Sequence, residues 1–88
     1  MKREEQMLIS AVRYALGRQS YIVSDTCTFV ASVRKKLSQE CVKIIIRDIK
    51  ESLRFYERMG KRCGMECDEQ DWNALLEVLK EGDSDETD

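Results

Sequence analysis

The chain has 88 residues, 42% of them hydrophobic and 36% charged, the balance of one small folded domain rather than of a disordered tail or a membrane span. It contains no histidine, which excludes Ser-His and Cys-His nucleophile pairs, a histidine general base and any His-containing zinc site, and so points away from an enzyme. The net charge of -2 hides two unequal parts: residues 81–88 hold five acids and no base, against fifteen bases and twelve acids in residues 1–80.

Helical spacing dominates from the first residues onward. Over 3–16, Leu8, Ala11, Val12 and Ala15 recur at i, i+3, i+4 and i+7, with Met7 and Leu16 widening the stripe. Gly17 supplies a stop through a positive φ. Ser20 caps a second helix over about 21–36, with Val23, Cys27, Val30 and Leu37 on one face and Ile22, Thr26, Phe29 and Val33 beside it. Its β-branched residues also suit a strand, but length and 3–4 spacing favour a helix. Ser38 opens a third helix over about 39–59, whose stripe is Val42, Ile45, Ile46, Ile49, Leu53 and Tyr56. The short Leu37-Ser38 connection lets helices two and three pair antiparallel, which sets Arg18 beside Asp48. Gly60 and Gly64 bracket a loop. Asp68 caps a fourth helix, with Asp71 in its first turn, Trp72, Leu75, Leu76 and Leu79 as its apolar face, and Gly82 as its end. The expected fold is all-α, a bundle of four short helices forming a single domain over 1–80, followed by a disordered acidic tail at 81–88.

Four cysteines invite a zinc site, and Cys63 and Cys67 have half-site spacing. Cys41 opens the third helix and Cys63 lies past its end, a separation of order 30 Å at about 1.5 Å per residue, whereas two ligands of one zinc sit within about 4 Å of each other. Cys27 reads as a core residue and Cys67 as a staple onto Trp72. We therefore expect no metal and no cofactor. The sharper signal is basic. Lys43, Arg47, Lys50, Arg54, Arg58 and Lys61 follow spacings that place them within roughly 80° of one helix face, away from the apolar stripe. Such a face can follow a phosphate backbone or meet an acidic protein surface, or serve only as a solvated side. No RNP-like aromatic pattern, GxxG loop, zinc-finger pair or phosphate loop accompanies it, and a helix-turn-helix at Leu37-Ser38 lacks the usual glycine.

The segments AVRYALGRQSYIVS (11–24), IIIRDIKE (44–51) and GMECDEQDWNALLEVL (64–79) resemble, in the same order, a group of short proteins encoded by bacteriophages and prophages. The resemblance implies a compact helical fold and marks Gly17, Arg18, Tyr21, Arg47, Asp48, Asp68 and Trp72; Cys27, Cys41, Cys63 and the acidic tail depart from the pattern. Small phage proteins without enzyme motifs include inhibitors of host defence such as anti-CRISPR proteins. The resulting expectation is a non-enzymatic, phage-encoded inhibitor that binds a bacterial defence protein or ribonucleoprotein, such as a Cas nuclease, through the basic face. The alternative is a small nucleic-acid-binding phage regulator using the same face. No apolar leader or span is visible, so the expected place of action is the host cytoplasm, away from membranes. Leftover apolar residues Ile44, Phe55 and Met59 add the expectation of a homodimer.

Overall fold

The computed structural model describes the backbone of residues 1–17, 21–59 and 65–87; the side chains of Tyr21, Tyr56, Met59, 65–68 and 81–87 lie outside the description. The elements are α1 (Arg3–Leu16), α2 (Tyr21–Val33), a 3-10 turn (Arg34–Lys36), α3 (Gln39–Met59) and α4 (Met65–Thr87). Among the described residues there is no strand, and the fold is an all-α bundle.

Each helix contributes the face its spacing dictates, with one rotation. From α3 come Val42, Ile45 and Ile49, and from α4 Trp72, Leu75, Leu76 and Leu79, all 5% exposed or less. Fully burying an aliphatic or aromatic side chain of this size stabilises by about 1.5–3 kcal/mol. Helix α2 gives Val23, Cys27 and Val30. In α1 the buried set is Leu8, Ile9, Val12, Ala15 and Leu16, so the stripe centres on Val12 and turns Met7 and Ala11 outward. Phe29 of α2 also points out, at 56% exposed. Cys41 joins the core at 0% exposed.

The terminal details differ instructively from expectation. Gly17 follows α1 with φ -94° and ψ 9°, so the helix stops without left-handed backbone; its N–H simply donates to the Tyr14 carbonyl at 3.2 Å. The last residues of the second helix tighten into a 3-10 turn, closed by the Leu37 N–H on the Arg34 carbonyl at 3.2 Å. Ser38 does start α3, its hydroxyl accepting from the Cys41 N–H at 3.2 Å. Helical backbone in α4 begins at Met65, ahead of Asp68, and runs through Gly82 to Thr87. An interior glycine weakens a helix by about 1 kcal/mol and does not by itself end one. The acidic side chains of 81–88, and the caps expected at Ser20 and Asp68, fall outside the described residues.

Helix pairing is the main correction. Helix α1 packs against both α2 and α3, and α4 packs against both α2 and α3, which puts α2 and α3 across the diagonal rather than side by side. Two contacts hold α1 along α3. The Ser38 N–H donates to Glu5 Oε2 at 2.6 Å, and Arg13 Nε donates to Asp48 Oδ2 at 2.8 Å. Residues 5 and 13 thus meet residues 38 and 48, so the two helices run parallel. The partner of Asp48 is Arg13; Arg18, expected there, lies outside the described residues.

Candidate functional site

The basic face is built by the same geometry that buries the opposite side of α3. With Val42, Ile45 and Ile49 held inward, positions 43, 47, 50, 54 and 58 turn outward, and all five side chains are exposed. From Lys43 to Arg58 the face extends about 22 Å along the helix axis. Lys43, Arg47, Lys50 and Arg54, with Ile46 and Glu51, line a shallow open depression on the surface. Lys61, the sixth predicted residue, lies outside the described residues.

Counter-charge stands close by: Glu51 lines the same depression, and Glu40 and Glu57 are further exposed acids of α3. Arg47, with its side chain 59% exposed, leans toward Asp48, Nη2 to Oδ1 at 3.6 Å. Asp48 itself is 12% exposed and committed to Arg13 on the α1 side. Exposed ion pairs of this kind contribute about 0–1 kcal/mol, so Arg47 remains available to a partner. Over the whole chain the separation of charge is steep. Residues 1–64 carry fourteen bases and seven acids, while residues 65–88 carry ten acids and one base. Helix α4 carries most of that acid, nine acids and one base, whereas α3 holds five bases and four acids, so its positive character belongs to one face and not to the whole helix.

The remaining titratable and thiol groups have structural work. Glu5, 6% exposed, takes the Ser38 N–H at the start of α3 and the Lys2 N–H at 3.3 Å at the start of α1. The Ser38 backbone hydrogen bond, chiefly, holds its carboxyl below the usual carboxylate range. Burial, helped by the negative charges of Glu5 and Glu40, pushes the Cys41 thiol up, which keeps it neutral and a poor nucleophile. Among the described residues no three Cys, Asp or Glu side chains gather as a metal site requires; Cys63 and Cys67 lie outside them. Trp72, marked by the sequence pattern, is a core anchor at 1% exposed.

The structure turns outward two residues that spacing places with the apolar stripes. Met7, 64% exposed, and Phe29, 56% exposed, stand on either side of a second surface depression between α1 and α2. Their one sequence signal is surplus: apolar residues 7, 8, 9, 11, 12, 15 and 16 wrap more of α1 than one core can cover. No described helix is long and apolar enough to cross a membrane. No protein-family model, curated protein or solved structure matches the chain.

Proposed function

We propose that this protein is a non-enzymatic binding protein, a phage-encoded inhibitor of a bacterial defence system of the anti-CRISPR kind, which acts in the host cytoplasm and docks on its target through the basic face of α3. The supporting observation is the exposed run of Lys43, Arg47, Lys50, Arg54 and Arg58, which the core does not use and which Asp48 offsets only at Arg47. The phage origin and the defence target, such as a Cas nuclease ribonucleoprotein, rest on the sequence resemblance. A positive helix face steers encounter with an anionic surface and weakens with salt.

The length of the face and its five exposed bases also support a second reading, a small regulator that binds nucleic acid along its phosphates. Titration of the protein against a Cas ribonucleoprotein and, separately, against free duplex DNA and RNA distinguishes the two. The inhibitor reading expects binding to the ribonucleoprotein that falls roughly tenfold or more when Arg47, Lys50 and Arg54 are all reversed to Glu, with little loss on deletion of 81–88. Steeply salt-dependent binding to free nucleic acid, lost in the same triple variant, selects the regulator. Full affinity in the triple variant with loss on tail deletion moves the working surface to the acidic end.

A further inference from the structure

The basic face leaves unexplained a second surface, formed where α1 meets α2. Its floor is Leu8, Ala11 and Thr26, its walls are the exposed Met7 and Phe29, and its rim carries Glu4 and Asp25. The depression holds about 460 Å³, in the range of small-ligand clefts, and it is open to solvent. Methionine and phenylalanine this exposed in so small a core are large apolar groups that folding has left out. Neither rim carboxylate has an ion-pair partner among the described residues. The wall from α2 has no base at all, since Tyr21–Val33 contains Asp25 and no Lys or Arg.

We propose that this groove receives an amphipathic helix of a partner protein, apolar on its inserted side and carrying Lys or Arg along its edges. Helices are taken up in this way when anchors at i, i+3 or i+4 and i+7 fall into an apolar trough, and methionine walls adapt to their shape. Charge selects among the occupants. Within the groove Glu4 and Asp25 disfavour phosphate, while Arg3 lines the adjoining depression that shares Met7 and Ala11. A second copy packed about a two-fold axis would bring the same patch from both sides, four carboxylates and no base from the groove lining of either copy. A basic-edged helix neutralises both acids while covering Met7 and Phe29. The inference stands apart from the role given to α3, because the two surfaces share no residue.

The test uses the full-length protein and two synthetic helical peptides of about 15 residues, identical in their leucine stripe and edged with either Lys or Glu. The expected result is saturable binding of the Lys-edged peptide only, weakened at least about tenfold by Met7→Ser with Phe29→Ser. Glu4→Lys with Asp25→Lys should exchange the preference, so that the Glu-edged peptide binds. This gain of binding reports on the groove even where the serine variant is less stable. Deletion of 81–88 should leave the Lys-edged peptide bound. Binding of neither peptide by the parent protein overturns the proposal. So does peptide affinity that survives both groove variants, or that disappears with the tail. Concentration-dependent dimerisation in sedimentation, abolished by Phe29→Ser, also overturns it, in favour of a second copy as the occupant.

Discussion

The outer face of α3 and the groove between α1 and α2 are both surplus to the core, yet they are made of opposite materials. On α3 the surplus is a row of long cations that stay hydrated and cost the fold little. Between α1 and α2 it is apolar side chains with an acidic rim. A cationic row attracts from a distance and discriminates weakly, whereas an apolar trough acts only at contact and depends on shape. The difference teaches that one small bundle can divide long-range attraction and close recognition between separate helices. The positive face of α3 and the acid-rimmed groove of α1 and α2 also differ in what they disfavour, the first cationic surfaces and the second phosphates.

The comparison breaks first at the inner side of α3, where the largest effect is expected. Ile49→Ala, at a site 0% exposed, should lower stability by about 2–5 kcal/mol in chemical denaturation. Reversal of Arg47, Lys50 or Arg54 should change it by about 0.5 kcal/mol or less each. A stability loss from the arginine variants comparable with that of Ile49→Ala would show that the outer row holds the fold and is not free to bind.

Most of α3 was readable because its apolar and basic positions never compete for the same sector. The four apolar positions of α4 were readable for the same reason, and all four are buried. Helix α1 was harder. Its apolar residues surround more than half of the helix, so spacing alone accommodates either Ala11 or Ile9 on the inner side, and in the folded bundle Ile9 is the buried one. Glu5 was illegible for a different reason. Its partner, the Ser38 N–H, lies 33 residues away, and no local pattern reports a carboxylate that leaves its own helix. The antiparallel pairing expected of helices two and three failed on the same ground, since it was argued from a short connection while the long-range contacts of α1 settle the neighbours. The basic face was legible as a line of charge, but its relation to the groove was not.

Glu5 sharpens the comparison from the structural side. Its carboxyl is held below the 4.5 of a free glutamate, so its contribution is fully present above that value and is lost as pH falls through the lower native value. Glu5→Gln should therefore reduce the denaturation midpoint at neutral pH and leave it nearly unchanged in strong acid, where the parent carboxyl is protonated too. Equal losses at both pH values would mean that shape, not charge, matters at this site.

The smallest effect is expected where the two regions are joined. A double-mutant cycle on Arg13→Ala and Asp48→Asn should return a coupling of about 0.2–1 kcal/mol, in keeping with an arginine side chain that is 55% exposed. A coupling of zero would mean that α1 and α3 are aligned by Glu5 and the apolar seam alone.

The parallel arrangement of α1 and α3 bears on the order in which the chain can acquire its shape. Two parallel helices cannot be joined by a tight turn, so α2 serves as the return leg that brings Ser38 back to the level of Glu5. Until that leg has been laid down, the carboxylate in the first turn of α1 has no distant amide to receive, and closing the intervening loop carries an entropic cost that grows only slowly with its length. Before α3 is in place, the seam of α1 that meets α3 stands open. Arrival of the first turn of α3 closes that seam, which makes the Glu5–Ser38 contact a marker of when the register between the chain's beginning and its middle is set.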